Sequence, residues 1–378
     1  MRQRDYDYII AGAGCAGLSL AVHLIKSGKF AEKKILITDQ SSKRENDRTW
    51  CFWETESGIF EDIVFRQWGQ LQVRDANGTI PLDLKSYQYK LIRGIDFYNY
   101  SLALIAKQPN FTFLKGKTEQ VFNGGSPGIT VNGETFTAQY IFNSILKKPT
   151  LRSGNVFMLQ HFRGWRITTS TPVFDPAKAT LMDFRTPQNG VTAFLYVLPF
   201  SEAEALIEYT VFSTSVLAEA DYENALQQYI LKFISSDYVI AEREAGVIPM
   251  TNADFPTYEN SLFYIGTAGG QTKGSTGYTF QFIQKQSAEI VDLLKLGKKP
   301  KSKKQPWRFR FYDSVLLDVL SNNSVPGAAV FIRLFEKSNC RDVFRFLDNE
   351  TTLPTELRII SRLPFAPFAK AALRRLLG

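Results

Sequence analysis

The sequence predicts an α/β fold that opens on a Rossmann-type β-α-β unit, continues into a β-rich region and closes on helices. Three observations carry this prediction. Tyr6 to Ala11 is a short apolar run bounded by glycine and reads as a buried strand. Helical spacing follows up to Lys26, with Leu18, Val22 and Ile25 on one face and Gly28 placed to end the helix. Lys34 to Thr38 is a second buried strand ending at Asp39, so strand, glycine turn, helix and strand follow one another as in a βαβ unit.

The turn between the first strand and its helix reads Gly12-x-Gly14-x-x-Gly17. Gly12 permits the tight turn, Gly14 lets the backbone approach a pyrophosphate, and Gly17 lets helix and strand pack closely. The helix N-terminus adds unpaired N–H groups and a positive dipole end for phosphates. Asp39 lies 22 positions after Gly17, where a carboxylate at a strand end can accept ribose hydroxyls. A second glycine-rich stretch, Gly266-Thr267-Ala268-Gly269-Gly270, follows a late strand at Leu262 to Gly266. A loop there can cover the remainder of a long cofactor, which favours FAD over NAD and a glutathione-reductase-like flavoprotein arrangement. The same stretch is not a P-loop: its order is Lys273-Gly274-Ser275 and its helix begins too late.

Between these landmarks, Phe65 to Leu84 alternates as antiparallel strands around a turn at Asp75-Ala76-Asn77-Gly78. Asp96 to Lys107 reads as a helix, Phe111 to Thr137 as hairpin strands, and Tyr140 to Ile145 as a buried strand. Thr171 to Val211 is β-rich, and helices are expected at Glu219 to Ser235 and Phe280 to Leu296. The basic, proline-broken run Lys298 to Lys304 reads as a linker into a helical tail. The expected division is an FAD-binding domain from residues 1–60, 90–150 and 255–297, and a β-rich substrate domain from 61–89 and 151–254. A helical C-terminal region, 298–378, completes the chain.

Composition narrows the function classes. A formal charge of +8 favours anionic partners, yet no nucleic-acid reading module accompanies it, so nucleic acid is not expected. Cys15, Cys51 and Cys340 are scattered, which suggests neither a disulfide framework nor a thiol metal site and points to a reducing cytoplasm. With two histidines, a histidine-rich metal centre is not expected either. Met1 to Arg4 runs directly into a strand without a long apolar signal region, and no uncharged stretch reaches membrane-spanning length. The 30 phenylalanines suggest an unusually apolar interior or pocket.

Several segments together resemble the lycopene β-cyclases, flavoproteins that close the ends of linear carotenes. They are the glycine fingerprint, Asp47-Arg48-Thr49-Trp50-Cys51-Phe52-Trp53, Leu91-Ile92-Arg93-Gly94, and Gln160-His161-Phe162-x-Gly164. Leu181-Met182-Asp183-Phe184-Arg185, Phe194-x-Tyr196-x-Leu198-Pro199 and Leu206-Ile207-Glu208-Tyr209-Thr210 follow. Ile248-Pro249-Met250, Gly269-Gly270 and Ser275-Thr276-Gly277-Tyr278 complete the set.

The resemblance implies an acid-catalysed, redox-neutral ring closure giving γ- and β-carotene. The family's essential acid falls on Glu208, where Tyr209 replaces a frequent second acid. Asp183 is the second candidate, either in proton transfer or in holding Glu208, against a plain ion pair with Arg185. Trp50, Phe52 and Trp53 are candidates for the tunnel wall against ordinary core packing, which is the stronger reading for any single one, and Arg48 for FAD or its phosphates against a solvent ion pair. The cofactor contacts expected are Gly12, Gly14, Gly17, Asp39, Arg48, Gly266, Thr267, Ala268, Gly269, Thr276 and Gly277. Thr267 stands where many flavoproteins carry an acid.

The resemblance further implies that FAD acts reduced, with NAD(P)H as the reductant, and that a C40 hydrocarbon is met at the inner face of a membrane. The tail Leu357 to Leu377, with Arg358, Arg362, Lys370, Arg374 and Arg375 among apolar residues, can lie at an anionic surface or pack on the body. The alternative activities are an FAD-dependent monooxygenase or isoprenoid reductase on the same scaffold. Phe142-Asn143-Ser144 stands where many hydroxylases carry Asp-Gly, which counts against hydroxylation.

Overall fold

The computed structural model describes residues 5–301 and 305–377. Met1 to Arg4 and residues 302–304 of the expected basic linker lie outside the described residues.

The first strand, Tyr6–Ala11, pairs in parallel with Ile35–Asp39 on one side and Glu134–Asn143 on the other. Phe111–Lys115 and Leu262–Tyr264 extend this parallel sheet at either side. Strands buried on both faces need continuous apolar runs, which is why Ile9, Ile10 and Ala11 are fully buried. The helix Cys15–Lys26 packs Leu18, Ala21 and Val22 into a core shared with the helices Gly94–Ala106 and Phe280–Lys295. Burial of Leu18 and Val22 contributes roughly 1.5–3 kcal/mol each. Gly28 follows this helix in the left-handed region at φ 64°, the conformation a helix C-terminus favours for glycine.

A second, seven-stranded sheet runs in the order Tyr238–Thr251, Phe157–Thr169, Glu204–Ser213, Thr192–Pro199, Lys178–Asp183, Gln70–Asp75, Gly78–Leu82. The helix Glu219–Phe233 covers one face, packing Tyr222, Leu226, Tyr229 and Ile230 on Trp165, Ile207, Tyr209 and Val211. The opposite face meets Trp53, Tyr89 and the C-terminal helices through Phe331, Leu334 and Phe344. A small sheet of Thr49–Glu54, Gln88–Arg93 and Arg66–Trp68 bridges the two cores. Residues 66–68 therefore pair with the strand after position 87 and not with the large sheet.

The C-terminal region is helical from Trp307 to Leu377. The tail from Leu357 onward is two helices, Leu353–Ile360 and Phe365–Leu377, because Pro364 cannot continue the first. Asp318, almost fully buried, receives the guanidinium groups of both Arg374 and Arg375 and pins the last helix to Trp307–Ser321. No helix among the described residues is long and apolar enough to cross a membrane.

Candidate active site

One cavity of about 580 Å³ joins the nucleotide fingerprint to the large sheet. Gly14, Cys15 and Ala16 border it at the start of the first helix, and Thr267, Thr276, Gly277 and Thr279 border it from the late glycine-rich loop. Tyr196, Leu198, Leu206 and Glu208 enter from the large sheet, with Trp50, Cys51 and Tyr89 from the small one.

The three fingerprint glycines divide their work. A Cβ on Gly17 would lie 1.9 Å from the Gly12 carbonyl oxygen, so this position is closed to any side chain by backbone packing. Gly12 turns at φ 98° against Ser144. Gly14 differs, since a Cβ there would meet nothing within 4 Å and would project into open space. That is the cradle expected where backbone approaches a phosphate. Two further polar atoms on the cavity wall, Gln160 Oε1 and Thr276 Oγ1, are buried without a hydrogen-bond partner among the described residues. The wall therefore fits a polar cofactor.

Of the other expected cofactor residues, all but Asp39, which does not line the cavity, fall into two groups. Arg48, Thr267, Thr276 and Gly277 line the cavity; Gly266, Ala268 and Gly269 are buried behind it. Gly269 is held so close to Tyr264 that a Cβ would lie 2.2 Å from its carbonyl oxygen. Thr267 Oγ1 is 2.9 Å from Thr272 Oγ1. Asp39 accepts the Ala13 N–H at 2.7 Å and pairs with Lys43, which fixes the fingerprint turn onto the second strand. Arg48 donates to Asp47 at 2.7 Å, and Asp47 accepts the Tyr98 hydroxyl at 2.8 Å.

Glu208 is placed by strand alternation. Ile207 and Tyr209 pack under the Glu219–Phe233 helix, so Glu208 and Thr210 face the other way, with Glu208 lining the cavity. Burial and the neighbouring Glu244 hold its carboxyl well above the usual carboxylate range. Thr210 counteracts this, donating to Glu208 Oε1 at 2.8 Å. Around the acid stand Tyr89, Tyr196 and Tyr278, whose phenols burial keeps protonated.

Glu244 is the residue that sequence reasoning missed. Gly164, in the strand between them, is the register partner of both Glu208 and Glu244. A Cβ on Gly164 would lie 3.0 Å from Glu244 Cγ and 3.1 Å from Leu206 Cδ1, so the missing side chain leaves space for the Glu244 side chain beside Leu206. Gln160, Phe162 and Gly164 alternate toward the cavity side of this strand. His161 turns the opposite way to Tyr222 and is fully buried.

Asp183 requires a correction: it does not line the cavity or hold Glu208. Its fully buried carboxylate takes hydrogen bonds from Nε and Nη2 of Arg185 and one from the Tyr229 hydroxyl at 2.6 Å, on the helix-covered face of the sheet. Of the three aromatic candidates, only Trp50 lines the cavity. Phe52 stacks on Phe280 with ring centroids 4.5 Å apart. Trp53 stacks on Phe344 and donates to Asp348 at 2.8 Å.

The fold is shared with flavoproteins. A geranylgeranyl bacteriochlorophyll reductase-like protein from Thermoplasma acidophilum superposes with a TM-score of 0.66 at 14% identity, covering 98% of this chain and 99% of that one. A flavoprotein/dehydrogenase from Cytophaga hutchinsonii gives 0.66 at 12% identity, covering 99% of each. The flavin-dependent brominase Bmp2 gives 0.59 at 13% identity, over 91% of this chain and 93% of that one. No curated protein matches the sequence. The family described as lycopene cyclase protein matches residues 7–373, and the chain belongs to that family.

Proposed function

We propose that this chain is a lycopene β-cyclase in which Glu208 protonates the terminal alkene of a linear carotene. The observation that carries this reading is the position of Glu208. A carboxyl kept protonated by burial faces a cavity that also reaches the dinucleotide fingerprint. Proton transfer to carbon needs such an acid, held near neutral charge until its substrate arrives.

In the reaction, the Glu208 O–H bond breaks as a C–H bond forms at C2 of the C1=C2 alkene, leaving a tertiary cation at C1. The C5=C6 pair closes the six-membered ring, and loss of the C6 proton gives the β-ionone ring. Electrons are neither gained nor lost. The aromatic faces of Trp50, Tyr89, Tyr196 and Tyr278 suit a passing cation, at roughly 0.5–2 kcal/mol each. Leu198 and Leu206 exclude water that would otherwise trap it.

FAD would be held by the helix N-terminus at Gly14 to Ala16, by Thr267, Thr276 and Gly277, and by Arg48. When bound in its reduced form it supplies negative charge beside the site, with NAD(P)H as its reductant. The hydrocarbon substrate places the enzyme at the inner face of a membrane. Trp307, Phe365, Leu373, Leu376 and Leu377 are exposed on the helices Trp307–Ser321 and Phe365–Leu377, consistent with an apolar contact surface, although Arg374 and Arg375 of the last helix are paired with Asp318.

The test is expression in a lycopene-accumulating host followed by pigment chromatography and mass measurement. Orange products of unchanged mass, γ- and β-carotene, support cyclisation. A mass gained or lost supports instead a monooxygenase or an isoprenoid reductase, and unchanged lycopene from flavin-loaded protein opposes the proposal.

A further inference from the structure

We propose that Glu208 and Glu244 form one acid pair carrying a single proton, with Glu208 as the member facing the substrate and Glu244 as its positioning residue. The proposal rests on the reading of Glu208 as the acid. It adds the group that decides when that acid is loaded and where the departing proton goes.

The geometry is reciprocal. Both glutamates are register partners of Gly164 from the two flanking strands; the Glu244 side chain lies over the space that the missing Gly164 side chain leaves, and the two carboxyls are neighbours that interact directly. Each has one hydroxyl donor of its own: Thr210 for Glu208 Oε1 at 2.8 Å, and Thr49 for Glu244 Oε2 at 2.7 Å. Glu244 Oε1 is buried and receives no donor among the described residues. Two ionised carboxylates would leave that oxygen unpartnered beside a like charge, a costly arrangement away from water. One proton between the pair removes both defects. Glu208 holds it: the hydroxyl donors of the two acids are equivalent, but Glu244 borders a cleft with Arg93, Arg166 and Arg243, whose positive charge favours its ionised form, while Glu208 sits beside Cys51, Tyr196 and Tyr278.

Glu244 also borders a different space. It lines a small cleft of about 20 Å³ with Asn46, Arg93, Arg166, Glu242 and Arg243, separated from the cavity by Thr49 and Leu206. The charged groups facing the pair are therefore Arg93 of the small sheet, Arg166 of the Gly164 strand, Glu242 and Arg243 of the Glu244 strand, and Asp47 beyond Thr49. From the cavity side the titratable and charged groups are Cys51, Tyr89, Tyr196 and Tyr278, with Cys15 and Arg48 elsewhere on the same wall. The pair therefore lies between an apolar cavity on one side and a cleft bordered by charged groups on the other.

The cycle balances within the pair. Glu208 releases its proton as the C2–H bond forms, leaving two carboxylates facing one carbocation. When the C6–H bond breaks, its proton returns to the pair. No other acid, base or oxidant is needed.

The test is infrared spectroscopy of the flavin-loaded protein without lycopene, alongside cyclisation rates across pH. Wild type should show a deuterium-sensitive carboxylic-acid carbonyl band at neutral pH that is absent in Glu208→Gln. In Glu244→Gln the neighbouring negative charge is gone, so the band and the alkaline limb of kcat should both move about one pH unit or more lower, with KM nearly unchanged. Glu244→Asp should recover part of the shift. Thr49→Val, which removes the donor favouring ionised Glu244, should move the band the same way by less and guards against a misfolded first variant. A wild-type band missing at neutral pH, or one titrating identically in Glu244→Gln and Thr49→Val, overturns the pair. Cyclisation surviving in Glu208→Gln would instead overturn the function reading, whatever the band shows.

Discussion

Thr210 donates its hydroxyl to Glu208 Oε1 at 2.8 Å from two residues further along the same strand, with its own side chain fully buried. A donor to a carboxylate favours the charged form. Thr210→Val should therefore keep Glu208 protonated to higher pH and move the alkaline loss of cyclisation upward. The measurement is the pH dependence of kcat, and a downward move would contradict the assignment. Losing the buried bond should also lower stability by about 1 kcal/mol.

Stability carries the same signature with its own sign. Burial and Glu244 raise the folded-state pKa of Glu208 above its unfolded value, so the folded protein binds that proton more tightly. The associated stability is complete below the ordinary carboxylate range and is lost as pH rises through the folded value. Glu208→Gln should consequently unfold at a higher temperature than wild type at neutral and alkaline pH, with the gap closing as pH falls. Thermal unfolding at a series of pH values checks this, and a constant gap would count against a strained acid.

The fingerprint glycines should separate binding from folding. Gly14→Val has room for its side chain within the protein and should fold, yet lose flavin because it fills the cradle. Gly17→Ala drives a methyl into the Gly12 carbonyl and should cost stability first. Retained flavin absorbance and unfolding temperature, measured together, distinguish them.

Asp183 provides the control. Its charge is fully buried and satisfied by Arg185 and Tyr229, so Asp183→Ala should destabilise by about 3 kcal/mol. The protein that remains folded should show an unaltered pH profile of kcat. A shifted profile would bring Asp183 back into the chemistry.

The nucleotide-binding unit was legible because its signals are local. A strand, three spaced glycines, a helix and a terminal acid are contiguous, and each has a steric or electrostatic reason. Glu208 was legible through the family motif and strand alternation, since Ile207 and Tyr209 had to face away from it. Glu244 was not, because its place beside Glu208 arises only from the pairing of three strands distant in sequence. The strands Phe157–Thr169 and Tyr238–Thr251 lack a clean alternating pattern: polar residues such as Arg163, Arg166, Glu242 and Arg243 interrupt it. The mid-strand Gly164 was the available signal, a gap in a sheet that something larger must fill. Asp183 misled for the opposite reason, because a lone acid in a shared motif says nothing about which face of the sheet it will occupy.

The most direct test of the central claim is cyclisation of lycopene in D₂O by purified, reduced, flavin-loaded protein, with wild type compared to Glu208→Gln. In a single turnover by protein equilibrated in D₂O before lycopene is added, the first ring closed by wild type should carry a deuterium at the carbon that received the Glu208 proton, and Glu208→Gln should be slower by about 100-fold or more. Unlabelled rings, or undiminished labelling and rate in the variant, would contradict Glu208 as the proton donor.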